Sequence, residues 1–239
     1  MIQIEKLSLS LGKKAILQGI DFTLPDNENL VILGRSGSGK TVLMKSLLGL
    51  YAPDAGSIVI DGIDLYHCTK MERSKVKERF AMVFQMAALL DSFTVYQNVA
   101  LPLYERGEKD ENKIASKVRE CLDLVGLAHT ESLYPAELSG GMRKRIGIAR
   151  ALVYDPDYII FDEPVSGLDP ITAQDTLFYM SEIIRANRAT LITITHDIDT
   201  IDHLGQKILF MEMGKMLHFG SYQELRESSD SIINRYFNS

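Results

Sequence analysis

The stretch that decides the fold is Gly34-Arg35-Ser36-Gly37-Ser38-Gly39-Lys40-Thr41, which fits the pattern G-x-x-x-x-G-K-[ST]. It follows an apolar run at 30–33 that is long enough for a buried strand, and apolar residues at helical spacing come after it. Glycines leave the backbone N–H groups of such a loop free to close on phosphate oxygens, and the following helix adds its positive N-terminal end. Lys40 is expected to reach the β- and γ-phosphates, and the Thr41 hydroxyl to bind Mg²⁺. The alternative, an ordinary glycine turn, is less favoured in this strand–loop–helix context.

A second apolar strand, predicted over 158–161, ends in two adjacent carboxylates, Asp162 and Glu163. In a protein with a phosphate-binding loop, the first carboxylate can hold Mg²⁺ through its hydration shell. The second can polarise the attacking water as a general base. Alone, such a pair is weak evidence, because acidic residues often just open the loop that follows a strand.

A third feature is Leu138-Ser139-Gly140-Gly141-Met142, followed by a basic and apolar helical segment at 143–151. A serine and two glycines at the start of a helix offer a hydroxyl, free N–H groups and the helix dipole to one anion. The chain therefore carries a second candidate phosphate site.

The chain resembles the ATP-binding subunits of ABC transporters. The family's motifs occur in the family's order: the loop at 34–41, Gln85 after an apolar strand, the signature at 138–142, Asp162 with Glu163, the D-loop Ser166-Gly167-Leu168-Asp169, and His196 after a predicted strand at 191–195. The resemblance implies an α/β fold: a P-loop NTPase with a RecA-like core, an antiparallel β edge subdomain and an inserted α-helical lobe. It also implies ATP hydrolysis with ATP and Mg²⁺ as cofactors, in a homodimer where each signature closes on the γ-phosphate held by the other protomer.

The resemblance also implies roles for individual residues. Catalysis is expected from Glu163, His196 and Gln85. Mg²⁺ binding is expected from Thr41, Gln85 and Asp162, and ATP binding from Gly34, Arg35, Ser36, Gly37, Ser38, Gly39, Lys40, Thr41, Ser139, Gly140, Gly141 and Asp169. Taken singly, Gln85 is more typical of a surface glutamine and His196 of a histidine at a strand end. Asp169 is also a candidate helix N-cap, because Pro170 follows it at a natural first helical position.

The resemblance covers the whole chain and implies one ABC ATPase domain over 1–239. The nucleotide-binding core with its β subdomain is expected at 1–85 and 152–239, and the helical lobe at 86–151. Alternating residues predict strands at 2–11, 16–24 and 57–61, and a hairpin is predicted from 208–213 to 216–219. The last segment, 221–237, is expected to pack against the core.

Composition agrees with this interpretation. The net charge of −6 and the pI near 5.4 provide no basic field for nucleic acid. The only cysteines, Cys68 and Cys121, suggest neither a disulfide framework nor a zinc site. No signal peptide or membrane-length apolar run is evident. The protein is therefore expected in the cytoplasm, bound peripherally to the inner face of the cytoplasmic membrane through a partner that spans it.

The wording of the motifs points to a subclass. The pattern F-Q-x-x-A-L-x-D-S-x-T-V-x-x-N-V-x-x-P-L at 84–103, the Met142 variant of the signature and Asp169-Pro170-Ile171 resemble ATPases of MCE-type lipid transporters, the maintenance-of-lipid-asymmetry class. That resemblance implies phospholipid transport. The implied partners are a transmembrane permease subunit, an MCE-domain lipid-binding protein and a small regulatory subunit. In this family, part of the segment after Gln85 lines the groove that accepts a helix of the permease.

Several alternatives remain. One is an ABC ATPase for lipoprotein release or small-solute uptake. Another is a soluble non-transport ABC protein, which is disfavoured because the chain has one ATPase unit, no heptads and an acidic balance. A P-loop kinase would not explain residues 139–142. ATP and GTP both remain candidates, since Leu11 stands where many relatives carry an aromatic residue that stacks on adenine, and import and export are both compatible with these motifs.

Overall fold

The computed structural model describes residues 1–85, 87–186 and 189–237, so Met86, the first residue of the predicted lobe, lies outside the described residues. The chain divides into two compact units, one formed by Met1–Phe80 with Thr190–Ser239 and the other by Ala81–Ala189. The organisation as a single domain with a lobe at 86–151 stays a prediction.

The first unit contains two sheets. Its strands are β1 Ile2–Leu11, β2 Lys14–Leu24, β3 Leu30–Leu33, β4 Ala55–Ile60, β5 Ile63–Asp64, β8 Thr190–Thr195, β9 Lys207–Glu212 and β10 Lys215–Gly220. Strand β6 Phe80–Val83 begins at the last residue of this segment of the unit, and β7 Tyr158–Asp162 belongs to the second unit. Its helices are α1 Lys40–Leu47, α2 Lys70–Glu78, α7 Asp199–Leu204, α8 Tyr222–Arg226 and α9 Ser231–Phe237. The predicted strands and the hairpin are all present.

One sheet is antiparallel, with the order β2-β1-β4-β5, and it forms the predicted β edge subdomain. The other places β3 between β8 and β9, parallel to both, and β10 lies antiparallel beside β9. All four residues of β3 are buried. A strand that is covered on both faces reads as a continuous apolar run, which is why 30–33 was recognisable in the sequence.

The C-terminal helices pack onto the first unit as expected. Leu225 on α8 and Ile233 on α9 are buried. Tyr236 meets Phe210 of β9 edge to face, with 5.1 Å between the ring centroids. The end of the described chain is therefore attached to the parallel sheet.

The second unit is mainly helical. It contains α3 Val95–Glu105, α4 Glu111–Leu124, a short 3-10 helix Pro135–Glu137, α5 Gly140–Leu152 and α6 Pro170–Arg185, with β6 and β7 as hydrogen-bonded neighbours. Apolar side chains of α4 and α5, such as Val118 and Ile146, are fully buried. Among the described residues, no helix has both the length and the apolar character needed to cross a bilayer.

Residues 87–94 differ from the expected helical character of the lobe, because helix α3 begins only at Val95. The buried side chain of Asn98 holds this segment in an irregular conformation. Its Oδ1 accepts from Leu90 N at 2.8 Å, and its Nδ2 donates to the carbonyl oxygens of Leu90, Phe93 and Thr94 at 3.0–3.1 Å. One side chain thus satisfies backbone groups that a helix would otherwise pair.

Candidate functional site

The glycine loop at 34–41 leaves β3 and enters α1, as the motif predicted. Gly39 caps α1 at φ 105°, a conformation that favours glycine, and its lack of a side chain leaves the first N–H groups of the helix uncapped. Lys40 is only 7% exposed, and its Nζ donates to the carbonyl oxygens of Gly34 at 2.6 Å and Arg35 at 3.0 Å. The loop is therefore wrapped around the lysine ammonium.

Two features of this loop fit a phosphate group. The Oγ of Ser38 is buried and has no hydrogen-bond partner among the described residues. At Gly34, a Cβ would lie far inside van der Waals distance of the Met211 carbonyl oxygen and also close to Ser38 Oγ. A glycine is therefore required there. The loop also carries the buried Ser38 hydroxyl and the buried Lys40 ammonium, and a bound phosphate would give the Ser38 hydroxyl a hydrogen-bond partner.

His196 lies at the same edge of the sheet as the glycine loop. Leu33, the last residue of β3, pairs with Thr195, the last residue of β8, in a parallel register. Gly34 and His196 therefore leave adjacent strands at the same level, at the carboxyl edge where parallel sheets bind their ligands. The His196 side chain is exposed, and its carbonyl oxygen accepts from the Tyr236 hydroxyl at 2.7 Å.

In the second unit, Asp162 ends β7 and Glu163 follows it with φ 51°. This left-handed conformation is unusual for a residue with a side chain, and such strain persists only where the surroundings impose it. The turn closes with a hydrogen bond from Ser166 N to Glu163 O at 3.2 Å. The chain therefore bends sharply at the predicted general base.

Gln85 and Lys144 both bond to the loop that follows Glu163. Gln85 Nε2 donates to Ser166 Oγ at 3.2 Å. Lys144 Nζ donates to the carbonyl oxygens of Pro164 at 2.8 Å and Ser166 at 2.7 Å. Partial burial is the main influence on Lys144 and lowers the pKa of its ammonium, while the charge of Glu163 acts in the opposite direction.

Ser139 and Asp169 are N-caps of two neighbouring helices. Ser139 Oγ accepts from Met142 N at 3.2 Å at the start of α5, and Asp169 Oδ1 accepts from Thr172 N at 3.1 Å at the start of α6. The Thr172 hydroxyl is the largest cause that lowers the pKa of Asp169. At Gly141, a Cβ would clash with the Thr172 side chain, so this glycine permits the close approach of the two helices. The N-cap interpretation of Asp169 is confirmed.

The structure thus brings the predicted residues together in two groups. The first unit holds residues 34–41 and His196 at one sheet edge. The second unit holds Gln85 and Glu163 around one turn, and Asp162 directly precedes Glu163. The same unit holds Ser139, Gly140 and Gly141 at the start of α5 and Asp169 at the start of α6. Oxygen atoms, the donor type that Mg²⁺ prefers, are carried by Thr41 in the first unit and by Gln85 and Asp162 in the second.

The sequence did not predict the hydrogen bonds of Lys144 and Tyr236 to backbone carbonyl groups, or those by which Asn98 holds the segment at 90–94. Lys144 belonged to a basic helical segment and Asn98 to an apolar stretch, so neither stood out by pattern. Nothing in local spacing indicates which backbone carbonyl a lysine or tyrosine will reach.

The family described as ABC transporter matches residues 17–166 of this chain, which include the glycine loop, Gln85, the signature and Glu163. The chain belongs to the ABC transporter family. The expected α/β fold, the P-loop fold of ABC ATPase cassettes with its β edge subdomain and helical lobe, is thereby confirmed.

Three curated relatives illustrate the range of the family. The probable ribonucleotide transport ATP-binding protein mkl of Mycobacterium tuberculosis is 38% identical over 237 residues, which cover 99% of this chain and 66% of that protein. The methionine import ATP-binding protein MetN of Vibrio vulnificus is 39% identical over 94% of this chain and 66% of that protein. Protein TRIGALACTOSYLDIACYLGLYCEROL 3 of Arabidopsis thaliana is 34% identical over 99% and 73%. This chain thus spans just under two thirds of the length of the first two.

Two solved structures share the fold. The cbiO1 protein of Clostridium perfringens, part of the ABC transporter complex cbiONQ, superposes with a TM-score of 0.88 at 27% identity and covers 99% of this chain and 94% of its own. The ATP-binding cassette MJ0796, a dimer bound to ADP and Pi, superposes with a TM-score of 0.81 at 27% identity over 92% and 98%.

Proposed function

We propose that this protein is the ATP-hydrolysing subunit of an ABC transporter that moves phospholipid through a membrane permease. The observation that carries the ATPase assignment is the loop wrapped around buried Lys40, with an unpartnered Ser38 hydroxyl beside it. The cradle lies within the part of the chain that matches the ABC transporter family, and its sequence fits the glycine-rich pattern whose backbone N–H groups hold nucleotide phosphates.

In the proposed mechanism, the N–H groups of residues 34–41 and the Lys40 ammonium hold the β- and γ-phosphates. Thr41, Gln85 and Asp162 would hold Mg²⁺, which when bound would neutralise charge on the phosphate oxygens. Glu163 takes a proton from the attacking water, and His196 donates a hydrogen bond to the γ-phosphate. The strained turn at Glu163 aims its carboxylate, and the pairing of Leu33 with Thr195 holds His196 level with the loop.

We further propose that two copies form a head-to-tail dimer in which Ser139, Gly140 and Gly141 of one copy complete the phosphate site of the other. The MJ0796 cassette, which forms a dimer, supports the dimerisation part of this proposal. A serine hydroxyl at the N-terminus of the thirteen-residue helix α5 is suited to an anion. Asp169, at the start of the next helix, is proposed to lie at the dimer contact.

The proposed partners are a transmembrane permease and, for the lipid-transport subclass, an MCE-domain protein and a small regulatory subunit. The cbiO1 relative, part of the cbiONQ transporter complex, supports a complex of several subunits. The corresponding location is the cytoplasmic face of the membrane.

Two substrate classes compete. Phospholipid is favoured by the subclass motifs at 84–103 and 138–142, and by the Arabidopsis relative, which bears the name of a glycolipid. Small solutes are favoured by the methionine import relative from Vibrio at 39% identity.

Purification of the complex from detergent-solubilised membranes separates these classes. We expect the protein to retain a membrane-spanning partner and copurifying phospholipid, measured by mass spectrometry of the organic extract. A complex that binds radiolabelled methionine and transfers no labelled phospholipid between vesicles of phosphatidylethanolamine and phosphatidylglycerol would assign it to solute uptake. The Lys40→Ala complex is the matched control, since it should assemble but transfer nothing.

The segment after Gln85 is proposed to receive a helix of the permease. Leu90 is 43% exposed, and Leu89 and Phe93 are half-buried on a loop that Asn98 holds in place. We expect Phe93→Ala to weaken docking by about 2 kcal/mol, roughly 30-fold in affinity, because an anchoring side chain is lost from a buried pocket. The melting temperature of the isolated subunit should change little, and retention on the solubilised permease should fall.

Ile160→Ala is the matched control for this test. Ile160 is fully buried in β7, so its truncation should lower the free energy of unfolding by about 2–5 kcal/mol and the melting temperature by roughly 5–15 °C. If Phe93→Ala behaves like Ile160→Ala and still binds the permease normally, Phe93 is a core residue and the docking proposal for this segment is wrong.

A further inference from the structure

We propose that Lys144 is a positioning residue that holds the Glu163 turn onto helix α5, the helix that begins with the Ser139 signature. The proposal rests on the proposed function of Glu163 as general base. It links two motifs of one chain that, in the proposed dimer, serve two different nucleotides.

The contacts of Lys144 bracket the turn. Its Nζ donates to the Pro164 and Ser166 carbonyl oxygens, at 2.8 and 2.7 Å, on both sides of Val165. Hydrogen bonds from a charged donor are stronger than neutral ones, particularly when they are partly shielded from water as here. One ammonium therefore fastens the first and the third residue after the general base.

The turn itself needs such support. Glu163 adopts φ 51°, and residues in this region cost of order 1–3 kcal/mol unless their surroundings hold them. A bond of 3.2 Å from Ser166 N to Glu163 O closes the turn, and Gln85 contacts it through the Ser166 hydroxyl at 3.2 Å. The two lysine bonds are the shortest of these contacts.

Helix α5 provides a rigid base for Lys144. Arg145 donates to Val125 O at 3.1 Å and lies over the Tyr179 ring, 5.0 Å from its centroid. Arg150 donates to the carbonyl oxygens of Ala87 and Ala88 at 2.7–2.8 Å. Arg143, on the other side of Lys144, bonds instead to Leu138 O at 2.7 Å. The three consecutive basic residues thus have three separate targets, and Lys144 is the one directed at the Glu163 turn.

A general base acts only within hydrogen-bond reach of its water, and a displacement of about 1 Å can cost roughly 100-fold in rate. Loosening the turn should therefore reduce kcat. Nucleotide affinity should change little, because Lys40 and the rest of residues 34–41 lie on other elements and do not bond to Lys144 in any described contact.

The test compares Lys144→Met, which keeps the stem and removes the donors, with Lys144→Arg, which keeps a cation and its donors. For the methionine variant we expect kcat to fall about 10- to 100-fold, with KM for Mg·ATP within about twofold of wild type. The arginine variant should recover at least part of this loss. Lys117→Met is the matched control: this lysine of α4 pairs with Asp155 at 2.8 Å and should leave kcat unchanged.

Two results would overturn the proposal. One is a kcat of Lys144→Met within twofold of wild type. The other is a loss that accompanies a melting-temperature drop as large as that of Ile160→Ala and that Lys144→Arg does not relieve, which would make Lys144 a structural residue. If the methionine variant does not fold, Lys144→Gln is judged by the same criteria. A wild-type protein without ATPase activity would instead refute the proposed function itself.

Discussion

Glu163→Gln should abolish ATP hydrolysis almost completely while leaving Mg·ATP binding near the wild-type value. Glutamine keeps the size and hydrogen-bonding shape of the side chain but cannot take a proton, and loss of a general base typically costs about 10²- to 10⁴-fold in rate. Binding should persist because the phosphate cradle around Lys40 is unaltered. The measurements are steady-state phosphate release, nucleotide binding by fluorescence and gel filtration with ATP, where a stable ATP-bound dimer is expected.

Glu182→Gln provides the control for this experiment. Glu182 lies on α6 of the same unit and forms an exposed ion pair with Arg185 at 2.5 Å, so its neutralisation should leave hydrolysis unchanged. Hydrolysis by Glu163→Gln within a few-fold of wild type would remove Glu163 from the role of base.

Mixed dimers of Lys40→Ala and Ser139→Arg protomers should regain activity that neither homodimer has. If Ser139 acts on the nucleotide of the opposite copy, pairing these variants leaves one composite site with both defects and one with neither. About half of the sites then stay competent, whereas each homodimer should lose at least about 100-fold, the scale of removing a preorganised transition-state contact. The measurement is phosphate release by tandem-tagged heterodimers purified over two affinity columns.

Ser74→Arg, on the exposed face of α2, controls for the added charge and bulk. Its heterodimer with Lys40→Ala keeps one intact P-loop, so its phosphate release should equal that of a wild-type and Lys40→Ala heterodimer. If the Lys40→Ala and Ser139→Arg heterodimer is as inactive as both parents while a wild-type and Lys40→Ala heterodimer hydrolyses ATP, the two motifs do not act across the dimer in this way.

Much of the fold could be predicted because its strands are strongly patterned. Strand β1 has the predicted bounds, Ile2–Leu11, and β3 was recognisable from four consecutive apolar residues. Helix α2 was missed. Its one buried residue is Val76, so the helix has no apolar periodicity. The residues Thr69 and Glu72, which form a capping box, were the available sequence signal for its first turn.

Only part of the candidate site could be predicted from the sequence. The glycine loop was evident because its residues act through their spacing along the chain. Lys144 bonds to backbone groups 20 and 22 residues away in the sequence, and Asn98 to backbone groups 4–8 residues before it. Such partners leave no periodic signal, because the backbone atoms they bind are the same in every residue.

The left-handed backbone at Glu163 restricts how this site can be lost over evolutionary time. Glycine relaxes there without cost, and asparagine and aspartate tolerate the conformation better than most residues, whereas β-branched side chains do not. Descendants that abandon hydrolysis but keep the fold are therefore expected to carry glycine, asparagine or aspartate at this position. A valine or isoleucine there would mark a gene in which the turn itself is no longer maintained.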